Sequence, residues 1–459
     1  MPEKYVIHAK NAPPRFRPIG KFGIIDWRED CSSCHNCVKK SCVFDLYKDE
    51  NTALHDEHGY LDYIYQCKGC MQCIQNCTKN LLSRMINPEY TLLGDDYYTP
   101  EVILTTWFQA EAGRIPVSGS GYGGKFSGKG FDSMWTDMSE IVRPTRDGIH
   151  GREYINTSVD IGGKLNHLEF DGMNLVSKKP LRIESPVPII FNMLPEHFQR
   201  GEVMASLVSA CQEMGTYMIM RAKDINNQFK NIKNIIPFIE NNDVMAFPNA
   251  EMIIIPDNND IFSVRDKIKS VNNSQIVAVE VKASKLAKER IMNLVKNGIE
   301  VINLSFNSNG MEFEDSNPRH MRDVLRDIHP TLVKAGLRDQ LFIIASRGIA
   351  LAEHVPKAMI CGADSVAIDI PLVIALECRL CGECQRGEEC QIKLEDIKTE
   401  YGKNRIINLI HAWRNQILEM LGAMGIREVR RLRGEMGRAM FFEDLERETF
   451  GSVFGKRKK

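Results

Sequence analysis

From about residue 185 onward, short apolar runs alternate with amphipathic stretches. Eight runs have the length and apolar character of strands, namely residues 188–193, 216–222, 244–247, 252–256, 275–283, 300–306, 341–346 and 365–370. The intervals suit helices, for example at residues 285–297, 319–334 and 350–361. Strands that alternate with helices predict βα units and a parallel sheet, and eight such units close into a (β/α)8 TIM-type barrel. Runs three and four are nearly adjacent, so we expect one unit to be degenerate.

The rest of the chain lacks this alternation and divides by composition. Residues 1–85 hold a lead-in arm and eight cysteines, whereas residues 86–184 are rich in glycine, proline and aromatic side chains and predict an irregular lead-in to the barrel. The barrel is predicted over residues 185–377. Residues 378–459 begin with a third group of cysteines, and amphipathic stretches at 405–422 and 426–448 predict a C-terminal helical extension.

Charge and composition narrow the function classes. The 459 residues include 59 Lys and Arg against 60 Asp and Glu, and without a basic excess we expect no nucleic-acid partner. No run approaches the roughly 20 apolar residues of a membrane span, and residues 1–21 contain no apolar leader core, so we expect a cytoplasmic protein. The 14 cysteines then indicate metal or redox chemistry, because cytosolic thiols are kept reduced.

Twelve of the cysteines fall into three groups of regular spacing. The groups are Cys31, Cys34, Cys37 and Cys42; Cys67, Cys70, Cys73 and Cys77; and Cys378, Cys381, Cys384 and Cys390. Three cysteines at intervals of three wrap three corners of a 4Fe–4S cluster, and in two-cluster ferredoxins the fourth cysteine of each run binds the other cluster. Carried over to residues 1–85, this pattern predicts two 4Fe–4S clusters in a ferredoxin-like domain. Cys77 would complete the first cluster, and Cys42 would complete the second.

Zinc is the alternative ligand for these thiols. Structural zinc sites typically use paired cysteines or add histidine, so the two repeated triplets near the amino terminus favour iron and sulfur. The third group could hold a third 4Fe–4S cluster by itself or a 3Fe–4S cluster through three ligands, and zinc is a stronger alternative there. The two other cysteines, Cys211 and Cys361, lie in apolar, helix-like contexts, and we expect buried structural thiols.

Several motifs connect the chain to a known family. They are IPVSGSGYG at 115–123, WTDMSEIVRPTRDGIHGREY at 135–154, HPTLVKAGLRDQ at 329–340, SRGI at 346–349, GADSV at 362–366 and LEC at 376–378. In these stretches the chain resembles the archaeal-type glutamate synthase-like proteins, and the resemblance covers most of its length, including the ferredoxin-like start. It implies a (β/α)8 barrel that carries FMN, with an iron–sulfur cluster beside it. The family's chemistry turns glutamine-derived ammonia and 2-oxoglutarate into glutamate.

The resemblance also indicates candidate cofactor-binding residues. Barrels of this kind bind phosphate at the loops after strands seven and eight, which here are residues 346–349 and 369–373. Ser346, Arg347 and Gly348 are therefore candidates, and Gly362 is a further one from its motif. Lys282, which follows the run 277–281, is a candidate cation inside the barrel. No catalytic residue is predicted.

Three departures from the family bear on function. The family's Gly-Glu-Gly-Gly loop is replaced by residues 247–250, and its His-Asp-Gly-Gly-Thr-Gly loop by residues 305–310. Asp369 stands where the family usually has a glycine, and a carboxylate beside a phosphate is repulsive unless it is paired. The chain begins with Met1-Pro-Glu-Lys, so we also expect no glutamine amidotransferase activity, which commonly uses an N-terminal cysteine nucleophile.

These observations leave three hypotheses. The favoured one is an electron-transfer subunit of a larger complex, whose partners are other redox subunits or ferredoxin-like carriers. The second is an FMN-dependent oxidoreductase of glutamate synthase type, for which a glutamine amidotransferase subunit would be a further partner. The third, a zinc-stabilised interaction protein without redox function, is disfavoured by the cysteine spacing.

Overall fold

The computed structural model describes residues 6–16, 19–25, 34, 36, 40, 41, 43, 70–81, 84–115, 130–136, 154–164, 168–177, 180–240, 246–313 and 316–455. The predicted ligands Cys31, Cys37, Cys42 and Cys67 lie outside these residues, as do residues 116–129 and 137–153 of the family motifs.

The strands, in chain order, are β1 (Phe22–Ile25), β2 (Arg84–Ile86), β3 (Met134–Thr136), β4 (Val159–Gly162), β5 (Phe170–Asp171), β6 (Asn174–Leu175), β7 (Arg182–Ser185), β8 (Ile189–Phe191), β9 (Met218–Arg221), β10 (Ile235–Phe238), β11 (Met252–Pro256), β12 (Ile276–Lys282), β13 (Val301–Ser305), β14 (Phe342–Ser346), β15 (Ser365–Ile368) and β16 (Ala439–Phe441). The helices are α1 (Gln72–Gln75), α2 (Pro88–Thr91), α3 (Pro100–Ala112), α4 (Gly201–Met214), α5 (Ile261–Val271), α6 (Ala287–Lys296), α7 (Met321–Lys334), α8 (His354–Cys361), α9 (Ile370–Ala375), α10 (Thr399–Met424), α11 (Phe442–Thr449) and α12 (Gly451–Phe454).

Strands β8 to β15 form a closed parallel barrel, in which each strand pairs with the next and β15 pairs with β8. The central strands are apolar on both faces because helices cover the outside while side chains fill the inside. In β13 and β14, for example, every residue is buried. The predicted (β/α)8 barrel is confirmed. None of the helices among the described residues is both long and apolar enough to cross a bilayer.

The third barrel strand differs from the sequence prediction. It is β10 (Ile235–Phe238), whereas the predicted run 244–247 is not a barrel strand in its described part, Ala246 and Phe247. Pro237 explains the error, because a proline argues against a central strand. In the structure Pro237 pairs in register with Met220 of β9, and β10 meets β11 through one register pair, Phe238 with Ile254. With β10 at Ile235–Phe238, the third and fourth barrel strands are no longer nearly adjacent in the sequence.

A helical layer closes one side of the barrel. The long helix α10 packs against α3 and α4, and α3 lies in the lead-in region 86–184. Arg405 of α10 is fully buried and donates to the carbonyl oxygens of Ala12 and Ala375 at 2.9 and 2.5 Å. Helix α10 therefore joins the amino-terminal arm, residues 6–16, to the end of α9.

The second predicted C-terminal helix, residues 426–448, is wrong as a continuous element. Short turns at Val429–Leu432 and Met436–Arg438 lead into β16, which pairs with β3, and only α11 is helical. Gly434 breaks the helix, since it has a φ of 75° and packs against the His329 ring. Local spacing could not reveal the pairing of β16 with β3, which joins segments some 300 residues apart.

Candidate functional site

The third cysteine group lies on a loop that leaves the carboxyl end of the barrel directly after α9. Residues with left-handed backbone conformation, among them Leu380, Gly382 and Gly387 with φ of 50°, 75° and 75°, curl this loop around its thiols. The backbone N–H of Leu380 points at Cys378 Sγ at 3.5 Å. The turn Glu383–Arg386 packs on the turn Glu196–Phe198, which follows β8. The loop is therefore fixed against the carboxyl end of the barrel.

The four thiols of this loop lie close enough to affect one another's ionisation. Burial raises the pKa of Cys378 to about 12, and charge on Cys384, Cys390 and Cys381 adds to the rise. Burial, followed by Cys390 and Cys381, raises the pKa of Cys384 to about 11. Thiols that oppose each other's ionisation are relieved when a cation binds, because metal ligation replaces their protons. The donor set thus fits an iron–sulfur cluster and is also one that zinc accepts.

The amino-terminal cysteines are described in part. Cys34 Sγ lies 3.9 Å from the hydroxyl oxygen of Thr78, the residue after Cys77. The N–H of Leu81 donates to Cys77 Sγ at 3.3 Å, and Cys73 lies in α1. The contact at Thr78 brings the first group next to Cys77, as expected if Cys77 completes the first cluster. With their partners outside the described residues, these ligand sets stay predictions.

Two paired strands, here called the stem, bracket the amino-terminal cysteine segment, and the chain that follows them contacts the third cysteine loop. Strands β1 and β2 pair antiparallel on either side of the segment, and Asn87 N–H donates to the Lys21 carbonyl at 3.0 Å. After the stem, Gly94 N–H donates to the carbonyl of Arg379 at 3.0 Å, between Cys378 and Cys381. The chain that leaves the first two groups therefore makes direct contact with the third.

Two tyrosines extend this contact to the carboxyl end of the barrel, here called its mouth. The Tyr97 hydroxyl donates to the carbonyl of Gly348, in the loop after β14, and the Tyr98 hydroxyl donates to the carbonyl of Ser308 at 3.2 Å. Burial raises the pKa of both phenols, and nearby aspartates including Asp369 add to it, so both stay neutral donors. Residues 94–98 thus bridge the third cysteine loop and the barrel. In the sequence, the one sign of these two tyrosines was an aromatic pair just before the start of a helix.

Three of the predicted cofactor residues lie together at this mouth. Ser346 ends β14 and its hydroxyl donates to Asn303 Oδ1. Arg347 and Gly348 follow with φ of 71° and 66°. An added Cβ on Gly348 would lie 2.1 Å from the Cα of Gly310, so the loop after β13 lies directly over Gly348.

The charge of Arg347 is shared between the buried carboxylate of Asp369 and the partly buried carboxylate of Glu280. Its Nε lies 3.9 Å from Asp369 Oδ2 and has no hydrogen-bond partner. Burial raises the pKa of Asp369 and of Glu280, and Arg347 opposes the rise at both. Asp369 also caps α9, because its Oδ1 accepts from Ile370 N–H at 2.7 Å. Sequence analysis missed Glu280; its signal was a charge inside the apolar strand β12.

The two other predicted cofactor residues lie elsewhere. Lys282 ends β12 with an exposed side chain, its Nζ 5.9 Å from the centre of the Phe313 ring. Gly362 precedes β15 and therefore lies at the amino end of the barrel, where its carbonyl accepts from Arg338 at 2.7 Å. An added Cβ there would lie 2.5 Å from His329 Cβ. Gly362 packs the bottom of the barrel and is not brought together with Arg347.

A cluster that the sequence did not indicate lies near the mouth. Ligand atoms of Asp132, Glu353 and His354 lie within 4.8 Å of one another. Glu353 pairs with Lys357 at 3.0 Å, and His354 Nδ1 accepts from Ala350 N–H at 3.2 Å. An Nδ1 that accepts leaves the proton of the neutral ring on Nε2, and this arrangement does not offer a lone pair to a metal.

Comparison with known proteins agrees with the motifs. Residues 239–427 match the conserved region in glutamate synthase. An archaeal-type glutamate synthase [NADPH] of Dehalococcoides mccartyi is 26% identical, with 90% of this chain and 93% of that protein covered. An archaeal glutamate synthase [NADPH] of Archaeoglobus fulgidus is 23% identical, with 93% and 96% covered. Among solved structures, a flavocytochrome b2 mutant with pyruvate bound is 14% identical with a TM-score of 0.41, and 71% of this chain and 93% of that one are covered.

Proposed function

Since the chain belongs to the family of archaeal-type glutamate synthase-like proteins, we propose that it is an iron–sulfur electron-transfer protein acting within a larger redox complex. Three 4Fe–4S clusters are proposed, two on the amino-terminal groups and one on Cys378, Cys381, Cys384 and Cys390. When bound, such clusters take up and release electrons. The single observation that carries the proposal is a loop with four thiols that affect one another's ionisation, in contact with the barrel and with Gly94 of the chain that follows the amino-terminal cysteine segment.

The residues of the chain have separate tasks in this proposal. The left-handed positions of the third loop turn the chain between its cysteines, and Leu380 N–H donates to the sulfur of Cys378, which would stabilise the reduced state of a bound cluster. Gly94, in the chain that follows the stem β1–β2, bonds to this loop and so ties the end of the amino-terminal cysteine segment to it. Short separations between clusters would favour passage of electrons.

The family also implies FMN in the barrel, and the described residues at the mouth do not fit its phosphate. The carboxylate of Asp369 already accepts a hydrogen bond from the N–H group at the start of α9. Arg347 beside it already compensates two carboxylates, those of Asp369 and Glu280. A phosphate there would face Asp369 and compete for Arg347 in a buried site, where repulsion is strong. We therefore derive no flavin step from this barrel.

The experiment is anaerobic purification followed by quantification of iron, sulfide, zinc and flavin per chain. We expect about twelve irons and as many sulfides for three 4Fe–4S clusters, with little zinc. Cys381→Ser should lower iron to about eight, whereas Cys211→Ser should leave it unchanged. The Cys211 thiol donates to Thr216 O at 2.9 Å in the core, and a serine hydroxyl can do the same. Iron near zero with stoichiometric zinc would overturn the proposal.

A second function, an FMN-dependent oxidoreductase of glutamate synthase type, is favoured by one observation. Two buried polar atoms at the mouth, Arg347 Nε and Asn192 Oδ1, have no hydrogen-bond partner, as expected of groups that wait for a ligand. Flavin content decides between the two. One FMN per chain, with turnover of 2-oxoglutarate and ammonia, would establish the second function. Absence of FMN after reconstitution, together with its binding to Asp369→Gly, would show that the carboxylate excludes it.

A further inference from the structure

A single arginine holds both ends of the third cysteine loop. Arg15 N–H and Nε donate to the two carboxylate oxygens of Glu377 at 2.7 and 2.8 Å. Its Nη2 donates to the carbonyl of Ile392 at 3.1 Å. Glu377 directly precedes Cys378, and Ile392 is two residues beyond Cys390. Arg15 therefore closes the loop that carries the four thiols, from a position on the arm that leads into the amino-terminal cysteine segment.

Both side chains of the Arg15–Glu377 pair are largely buried. The side chain of Glu377 is 6% exposed and that of Arg15 is 22% exposed. The Arg15 guanidinium also lies over the rings of Phe16 and Tyr401, at 5.0 and 5.7 Å from their centres. Glu377 itself has a φ of 73°, a conformation that a non-glycine residue keeps only where the surroundings enforce it. Two bonds to the same carboxylate, one from the Arg15 backbone N–H and one from its Nε, are such a constraint.

The pair also places two opposite charges next to a ligand of the third group. Reduction of a cluster adds negative charge, so a nearby anion disfavours it and a nearby cation favours it. While Arg15 is present, the charge of Glu377 is compensated. If Arg15 were neutral, a buried carboxylate would lie uncompensated next to Cys378, and the cluster would become harder to reduce.

We propose that Arg15 and Glu377 form a positioning pair that sets the reduction potential of the third cluster by balancing charge beside Cys378. The inference rests on the proposed electron-transfer function. It assigns to the amino-terminal arm a control over the cluster at the carboxyl end of the barrel, 362 residues away in the sequence.

The test is a redox titration of the holoprotein, followed by electron paramagnetic resonance, with Cys381→Ser used to identify the signal of the third cluster. Arg15→Gln should lower the ratio of reduced to oxidised cluster at a fixed potential by about tenfold, equal to about 59 mV for one electron. Glu377→Gln should shift it in the opposite direction, and the double variant should lie near the wild type. Arg15→Lys, which keeps the charge, should shift it least.

Arg290→Gln is the matched control, because Arg290 pairs with Asp257 at 2.6 Å on a barrel helix rather than at the cysteine loop. The inference would be overturned if Arg15→Gln and Glu377→Gln both retain about twelve irons per chain and their reduction potentials shift with equal sign or not at all. The proposed function would then remain intact. If Arg15→Gln retains only about eight irons, it has lost the third cluster and Glu377→Gln becomes the test. A higher reduction potential of the third cluster in Glu377→Gln would support the pair. An unchanged potential would overturn it. A wild-type protein without iron would overturn the function itself.

Discussion

Replacement of Arg338 by methionine should destabilise the barrel from its amino end. Arg338 is 3% exposed, and its Nη2 bonds to Asp364 at 2.7 Å and to Gly362 O at 2.7 Å. Its Nε donates to His329 Nδ1 at 3.1 Å. Without the guanidinium, the buried carboxylate of Asp364 keeps the Ile343 N–H at 2.8 Å and Arg433 at 3.5 Å, with Lys164 as a further positive charge nearby.

The magnitude follows from the burial of both partners. Removing one partner of a buried ion pair costs about 3–5 kcal/mol, and the two contacts that Asp364 keeps place Arg338→Met at about 3 kcal/mol. This is a large part of a typical free energy of unfolding of about 5–15 kcal/mol. Arg338→Met/Asp364→Asn should cost less than Arg338→Met alone, because the asparagine accepts from Ile343 N–H without carrying a charge.

The penalty should also depend on pH. Burial raises the pKa of Asp364, but Arg338 and Arg433 outweigh burial and hold it below its ordinary value. The stabilisation from this carboxylate is therefore present above the ordinary aspartate pKa and is lost as pH falls below it. In Arg338→Met the carboxyl can protonate more readily, so the difference from the wild type should shrink on acidification.

The assay is anaerobic urea unfolding of the holoprotein, followed by circular dichroism, at neutral and acidic pH. Arg290→Met is the control, since its pair with Asp257 is about a third exposed and should contribute at most about 1 kcal/mol. A cost of Arg338→Met no greater than that of Arg290→Met would refute the reasoning. So would a double variant less stable than Arg338→Met.

Three further predictions follow from particular contacts. Gly348→Ala should cost about 1–3 kcal/mol more than Gly336→Ala in urea unfolding, because both have positive φ but only Gly348 would meet backbone atoms; equal costs would contradict the packing at the mouth. Glu280→Gln should gain stability relative to the wild type as pH rises above the ordinary glutamate pKa, since burial holds the pKa of Glu280 above it, and a pH-independent difference in urea midpoint would exclude this. Asn408→Ala should speed tryptic cleavage after Lys10, because Asn408 accepts from Lys10 N–H at 3.0 Å and donates to its carbonyl at 2.6 Å; unchanged cleavage would show that the arm is held elsewhere.

The sequence alone determined the features that depend on local spacing. The barrel followed from apolar runs separated by amphipathic intervals, because a strand buried on both faces must be apolar throughout. Three groups of thiols followed from cysteines three residues apart, since three ligands of one cluster lie within one short loop. Where a local rule misled, at Pro237 in β10, the neighbouring strands overrode the residue's own preference.

Only the tertiary structure decided which charges meet. Arg347 serves both Glu280 and Asp369, Gly362 lies at the end of the barrel opposite to Gly348, and Arg15 reaches Glu377 across 362 residues of sequence. Such pairings join segments that are brought together by packing, and no spacing along the chain encodes them. Burial then fixes their consequence, because a charge removed from water must be compensated by whichever group the fold places beside it.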